Sequence, residues 1–128
     1  MNIRFISTRF HGVLDYIVAI VLFFAPIIFG FQNIGGAAVY IPMALGIVLA
    51  LYSLFTDYEL GFFKFLSMPY HLMVDVLAAL FLAISPFLFG FVNEAANAWV
   101  PHVVVGIAIL LVAAVTQTQV NRPVTQRQ

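Results

Sequence analysis

The sequence predicts an all-α integral membrane protein, a four-helix bundle built from two tandem helical-hairpin repeats. Three observations support this: the chain of 128 residues is 64% hydrophobic and 8% charged, it contains four long apolar stretches, and its first half recurs in its second. A soluble domain typically carries about 25% charged residues. Five basic and five acidic side chains cannot cover a water-exposed surface, so the composition excludes a soluble enzyme and a disordered chain. A formal net charge of zero also excludes a basic surface for nucleic acid.

Each apolar stretch has the length of about 20 residues that a helix needs to cross the hydrocarbon core. The apolar runs are continuous rather than alternating, which favours helices over the strands of a membrane β-barrel. We expect a single membrane domain over residues 1–128, in which the polar tail 117–128 is disordered. The expected spans cover residues 11–31, 36–55, 68–91 and 95–115.

The chain is an internal duplication, with repeat one at residues 10–56 and repeat two at residues 70–116. A shift of 60 residues superimposes residue types that are rare in membrane spans: His11 on His71, Asp15 on Asp75 and Pro26 on Pro86. Because each copy contains two spans, both copies enter the membrane from the same side and are related by a pseudo-twofold axis along the membrane normal. The two His and Asp pairs are therefore expected at the same depth.

The distribution of basic residues predicts the orientation. All five positive side chains lie on one side of the spans: Arg4, Arg9, Lys64, Arg122 and Arg127. By the positive-inside rule, both termini and the loop 57–67 are expected in the cytoplasm, in a multi-pass protein of the cell inner (plasma) membrane. The aromatic loop 57–67 is expected to lie in the membrane interface. Arg4 and Arg9 would suit a signal peptide, but the length of the first span, its Asp15 and its internal copy favour a retained helix.

The intramembrane polar residues are the candidate site. His11 and Asp15 are four residues apart, as are His71 and Asp75, so each pair shares one helix face. At about 100° per residue, this face also holds five further residues that recur in the second copy and does not hold Phe31, which recurs too; the five are Ala19, Leu22, Pro26, Phe29 and Gly30. The shared face predicts an interface between the first and third spans. One interpretation is a polar clasp that fixes helix register. The alternatives are a proton-linked or substrate site of a small transporter, a divalent metal held by His11, Asp15, His71 and Asp75, and catalysis with His or Asp as base.

The other polar or special residues are interpreted as structural. Pro26 and Pro86 are expected to kink their helices, because each proline leaves the carbonyl four residues earlier without a partner; Ser85 can compensate in the second copy. His102 is expected at the membrane interface. No nucleophile motif, P-loop, HExxH or dinucleotide fingerprint is present, so we predict neither a catalytic residue nor a cofactor, and a divalent metal remains the alternative.

A short motif recurs near the end of the first span of each copy. It reads Ser85-Pro86-Phe87 in the second copy and Ala25-Pro26-Ile27 in the first. Over residues 10–115, the chain resembles the SPW-repeat family of small prokaryotic membrane proteins, although it lacks the tryptophan in both copies and the serine in the first. The resemblance implies an architecture of two tandem two-helix repeats and implies no activity.

These observations lead to two hypotheses about function. The first is a structural or accessory membrane protein in contact with lipid, as a subunit of a larger complex or as a homo-oligomer, since four spans are expected to leave little interior for a substrate. The second is a small proton-coupled transporter or metal-binding protein that uses the duplicated His and Asp pairs. A cavity or an ion at these pairs would favour the second hypothesis, and dry packing would favour the first.

Overall fold

The computed structural model describes residues 2–121, which form four α-helices and a 3-10 turn at Phe91–Asn93. The helices are α1 Thr8–Ile28, α2 Gly36–Leu54, α3 Met68–Leu88 and α4 Ala96–Val115. Each is long and apolar enough to cross a membrane, so the predicted all-α four-helix architecture is confirmed. Residues 122–128, which include Arg122, Arg127 and most of the predicted tail, lie outside the described residues.

Helix α1 begins and ends three residues earlier than the predicted span. It begins early because the Ser7 side chain accepts a hydrogen bond from the backbone N–H of Phe10, which satisfies a donor at the helix start. It ends early because Gly30 has a φ of 75°, a left-handed conformation that glycine adopts without strain. The chain then reverses direction, so Phe31 does not extend the helix. Its side chain packs into the end of the bundle and is only 1% exposed.

Glycines bring the two helices of each hairpin close together. An added Cβ at Gly46 of α2 would lie 2.7 Å from the carbonyl oxygen of Ala19 in α1. At Gly106 of α4, it would lie 2.8 Å from the carbonyl oxygen of Ala79 in α3. Backbone atoms cannot rotate aside, so neither position accommodates a larger side chain, and the most extensive helix contacts are those within the two hairpins.

The predicted face of α1 and α3 is the buried one. Ala19 and Ala79 are buried, whereas their neighbours Ile20 and Leu80 are exposed and apolar. The phase assigned to these helices is therefore confirmed as far as the two prolines. Beyond them it is wrong, because Phe29, which it places on this face, is exposed, whereas Phe31, which it places on the opposite side, is buried. The predicted interface between α1 and α3 is not among the extensive helix contacts, which lie within each hairpin and, to a smaller extent, between α2 and α3.

Short extended segments of the two copies pair with each other at one end of the bundle. Ile6, before α1, forms a parallel bridge with Thr116 after α4, and Leu66, before α3, forms the equivalent bridge with Thr56 after α2. These bridges follow the pseudo-twofold relation, since each pairs the start of one copy with the end of the other. We call this end, with residues 2–7, 56–67 and 116–121, the terminal end, and the opposite end the hairpin end.

The equivalence of the copies begins earlier than the predicted starts at residues 10 and 70. Arg4 donates hydrogen bonds to the carbonyls of Ala113 and Thr116, at 3.1 and 2.7 Å. Lys64, at the equivalent position, donates to the carbonyl of Tyr58 at 2.6 Å. Both cations thus bind carbonyl oxygens where a helix ends or just beyond it, which favours positive charge at that point.

Pro26 and Pro86 lie within the last turn of α1 and α3, and both are buried. The Ser85 hydroxyl donates to the Leu82 carbonyl at 2.7 Å, which is the carbonyl that Pro86 leaves free. The first copy has Ala25 at the equivalent position, so the same repair is missing there. The predicted kinks at the two prolines remain a prediction.

Candidate functional site

The structure brings the four intramembrane His and Asp residues together at the terminal end. Nε2 of His11 lies 2.9 Å from Oδ2 of Asp75 and 3.1 Å from Oδ1 of Asp15. Nε2 of His71 lies 3.0 Å from Oδ2 of Asp15 and 3.3 Å from Oδ2 of Asp75. All four residues are buried. This group, the His–Asp cluster, joins α1 to α3, and each imidazole contacts the carboxylates of both copies.

A threonine from the other copy orients each imidazole. Nδ1 of His11 lies 2.8 Å from the Thr116 hydroxyl, and Nδ1 of His71 lies 2.7 Å from the Thr56 hydroxyl. Each hydroxyl donates its one hydrogen to the carbonyl four residues earlier, at 2.6 Å. The threonine oxygen must therefore accept from the imidazole, so Nδ1–H is the donor and Nε2 is the nitrogen that faces the carboxylates.

Two tyrosines complete the hydrogen bonds of the carboxylates. The Tyr52 hydroxyl donates to Oδ1 of Asp75, and the Tyr58 hydroxyl donates to Oδ2 of Asp15 at 2.7 Å. Tyr52 lies in α2 of the first copy and Tyr58 in the loop after it, and the equivalent positions of the second copy hold Val112 and Thr118. The tyrosines are thus the part of the site that breaks the pseudo-twofold symmetry.

The loop between the copies covers the cluster at the terminal end. Tyr58 is fully buried, and burial together with the Asp15 carboxylate raises its pKa, so the phenol remains a hydrogen-bond donor at neutral pH. Its neighbours differ in exposure, since Phe62 is 76% and Phe65 83% exposed. The loop therefore presents Tyr58 to the cluster and large aromatic side chains to the outside.

A central cavity of about 320 Å³ adjoins the cluster on the side toward the hairpin end. Its polar boundary consists of His11, Asp15, Tyr52 and Asp75, and its other walls are apolar side chains from all four helices. The expectation that four spans leave little interior is therefore wrong. The interior is open because the helices pack tightly within each hairpin, and medium-sized side chains between the hairpins do not fill the remaining space.

The cavity lies on the pseudo-twofold axis, since most of its lining consists of equivalent positions. Examples are Leu22 with Leu82 and Leu49 with Ile109. Beyond such pairs, the lining includes Val104 of α4 and further residues of α1 only. Because α2 packs closely on α3 and the equivalent pair α4 and α1 does not, we infer that the cavity extends toward the gap between α1 and α4.

His102, which the sequence predicts at the membrane interface, is buried inside the bundle at the hairpin end. It lies between Phe31 and Phe91, with ring centroids 5.5 and 4.8 Å away, and its Nε2 lies 3.0 Å from the Ala38 carbonyl oxygen. The reversal of the chain after Gly30 and Gly90 places these aromatic rings over it. His102 lies far from the His–Asp cluster along α4 and belongs to a separate packed layer at the hairpin end.

Sequence reasoning missed the groups that orient and complete the cluster. The threonines carried a signal, because Thr56 and Thr116 occur at equivalent positions in the repeat. The tyrosines carried none, because Tyr52 and Tyr58 lack counterparts in the second copy. Together, these residues make an enclosed network that can hold charge or protons, or a cation, beside an apolar cavity.

Comparison with known proteins gives one match, to a family. The family model of the SPW repeat domain matches residues 9–116, which include all four helices except the first residue of α1. No curated protein and no solved structure matches the chain. The match fits the two hairpins and the pseudo-twofold relation between them.

Proposed function

The chain belongs to the SPW repeat domain family of the match above, and from its central cavity we propose that this membrane protein binds a small amphipathic molecule. The observation that carries the proposal is the cavity of about 320 Å³, whose walls are apolar except where the His–Asp cluster and Tyr52 form one end. A well-formed apolar pocket of at least about 300 Å³ with a few convergent polar groups is typical of a ligand site.

The chemistry of the polar end defines the class of ligand. Asp15 and Asp75 present carboxylate oxygens, which accept hydrogen bonds and attract positive charge. The proposed ligand therefore has an apolar body and a head that donates hydrogen bonds, such as an amine. The gap between α1 and α4 offers such a molecule a route from the lipid, where it would be dissolved.

Binding can be measured with 1-naphthylmethylamine, a fluorescent aromatic amine, and with 1-naphthoic acid, which has the same ring and a negative head. We expect the protein, purified with chelator so that no metal ion occupies the carboxylates, to bind the amine and to reject the acid, since the acid would face two carboxylates. Ala78→Phe and Ala108→Phe, which fill the cavity, should weaken binding of the amine about tenfold or more. Leu77→Phe and Ile107→Phe, at exposed neighbouring positions, are the matched controls and should bind as the natural chain does.

Equal binding of the amine to the filled and the control variants would contradict the proposal, and so would equal binding of the acid and the amine.

A proton-coupled transporter is the more specific form of this function. A transporter of this kind needs a cavity for its substrate beside groups that exchange protons, and the cavity lies beside the duplicated His and Asp pairs.

The structural or accessory role is the second candidate, and one observation favours it. Each imidazole of the His–Asp cluster is held between a threonine of the other copy and carboxylates of both copies, so the cluster links the hairpins without a ligand. The exposed apolar side chains of the helices would contact lipid or the helices of further subunits, including copies of this chain. Gentle purification followed by measurement of the molar mass and of co-purifying proteins tests this role.

We further propose that the terminal end faces the cytoplasm of a cell whose inner (plasma) membrane holds the protein. Within residues 2–121, all three basic side chains, Arg4, Arg9 and Lys64, lie near this end, and Glu94 is the charged residue of the hairpin end. Cysteines at Asn2 and Phe62 should be protected from an impermeant thiol reagent in intact cells, and cysteines at Asn33 and Asn93 should react. Labelling of the first pair before lysis would reverse the orientation.

A further inference from the structure

We infer that the His–Asp cluster is a binding site for one divalent transition-metal ion, with His11, Asp15, His71 and Asp75 as ligands. One nitrogen or oxygen from each residue lies within 4.8 Å of the others, and all four residues are buried. The inference goes beyond the proposed function, because it concerns a different ligand. An ion would take the carboxylates that the head of an amine would otherwise contact, so each ligand is tested in the absence of the other.

The orientation of the imidazoles supports an ion. Thr56 and Thr116 accept Nδ1–H, so Nε2 is the nitrogen that is directed into the cluster. Without an ion, Nε2–H of His11 donates to Oδ2 of Asp75 at 2.9 Å; an ion would displace this proton and bind the lone pair of Nε2. Histidines that bind metal ions almost always donate their other N–H to an acceptor, which fixes the tautomer and the plane of the ring. Both histidines have this arrangement, each through the threonine of the opposite copy.

An unsatisfied nitrogen is the second observation. His71 is fully buried, and within residues 2–121 its Nε2 has no hydrogen bond of good geometry, although carboxylate oxygens of Asp15 and Asp75 lie 3.0 and 3.3 Å away. A buried polar atom without a hydrogen bond costs free energy. A cation among these atoms would satisfy the nitrogen and both carboxylates together.

The charge and the donor types indicate the class of ion. Two ionised aspartates carry two negative charges, which one divalent ion neutralises. Ligand atoms bound tetrahedrally at about 2.0–2.2 Å are about 3.4 Å apart. The nitrogen–oxygen distances of 2.9–3.3 Å are close to this value, and the four ligand atoms as a group lie within 4.8 Å, so the four side chains would move toward a common centre around an ion. Two imidazoles with two carboxylates suit zinc, manganese or iron, whereas calcium and magnesium prefer oxygen ligands alone.

The two tyrosines are not among the four proposed ligands, but they donate hydrogen bonds to both ligand carboxylates. Tyr52 donates to Oδ1 of Asp75 and Tyr58 to Oδ2 of Asp15. Oδ2 of Asp75, which contacts both imidazoles, and Oδ1 of Asp15, which contacts that of His11, accept from neither tyrosine; the contact of His71 with Asp15 is to Oδ2, which Tyr58 also holds. One oxygen of each carboxylate is thus available to an ion, while the other is held in place.

The test uses the full chain, purified with chelator and then given Zn²⁺, Mn²⁺, Fe²⁺ or Co²⁺ separately. We expect one ion per chain by elemental analysis, a rise in melting temperature with at least one of these ions, and the visible absorption of a four-coordinate site with Co²⁺. Asp15→Asn and His71→Gln should abolish the bound ion. Thr56→Val keeps all four ligands and should weaken binding about 10–100-fold. His102→Gln removes a histidine outside the cluster and should leave the stoichiometry unchanged.

Two results would overturn the inference. The first is a natural chain that binds none of the four ions and melts at the same temperature with and without them, which would leave the cluster as a hydrogen-bonded clasp. The second is binding that Asp15→Asn and His71→Gln do not change, since the ion would then lie elsewhere. The Co²⁺ spectrum reports on the site directly, so a variant that is merely less stable can be told from one that has lost its ligands. Failure of the amine to bind in the cavity would leave these results unaffected.

Discussion

Replacing Asp75 by leucine is expected to lower the free energy of unfolding by about 3–5 kcal/mol, because it removes one partner of a buried charged network. The leucine would leave the Tyr52 hydroxyl without its acceptor and would take from His11 its nearest carboxylate, at 2.9 Å. Both groups are held by their helices in a layer that water does not reach freely. The measurement is equilibrium unfolding in mixed micelles with chelator present, so that no metal ion contributes.

The matched variants separate the loss of a partner from the loss of a charge. Asp75→Asn keeps an acceptor for Tyr52 and can donate to a neutral imidazole, so its cost should be about 1 kcal/mol, as for other hydrogen bonds between membrane helices. Asp15→Leu should resemble Asp75→Leu, because both carboxylates contact the two histidines and one tyrosine. Glu94→Leu removes an exposed carboxylate at the hairpin end and should change stability by less than about 0.5 kcal/mol. Equal stability of Asp75→Leu and the natural chain would mean that the cluster does not hold the hairpins together.

Most of the fold could be predicted from the sequence. The helical spans depend on local composition, and the equivalence of the two copies depends on a fixed shift along the chain. His11 and His71, with their aspartates, could be assigned to one layer on this basis. The similarity of the copies also extends to the segments before their first helices, since Arg4-Phe5-Ile6-Ser7 resembles Lys64-Phe65-Leu66-Ser67. These segments begin the two copies and form the parallel bridges at the terminal end.

The remaining features depend on distances between parts of the chain that no local pattern specifies. The contact of His11 with Thr116 joins residues 105 positions apart, and Tyr58 reaches Asp15 only through the path of an irregular loop. The central cavity exists because side chains from four helices do not fill the space between them, and the composition of the chain does not reveal this. The burial of His102 could not be predicted, because the backbone conformations of Gly30 and Gly90, rather than hydropathy, direct Phe31 and Phe91 over it.

The loop that covers the cluster depends on one glycine. An added Cβ at Gly61 would lie 1.7 Å from the carbonyl oxygen of Thr56, closer than any side chain can approach a backbone atom. This fit allows the N–H groups of Phe62 and Phe63 to donate to the Leu54 carbonyl, both at 2.8 Å, and so close the loop against the end of α2.

Gly61→Ala is therefore expected to displace the loop and to cost about 3 kcal/mol, the upper end of the usual penalty for overpacking. The displacement should withdraw Tyr58 from Asp15, since Tyr58 lies three residues before Gly61 and accepts its N–H at 3.0 Å. Hydrogen exchange at Phe62 should become faster, while the amides in the middle of α4 should keep their protection. Phe62→Ala, which changes an exposed side chain of the same loop, should affect neither stability nor exchange to this extent. If Gly61→Ala retained the stability and the slow exchange of the natural chain, the loop would adapt to a side chain here, and its close fit against Thr56 would not be what holds Tyr58 over the cluster.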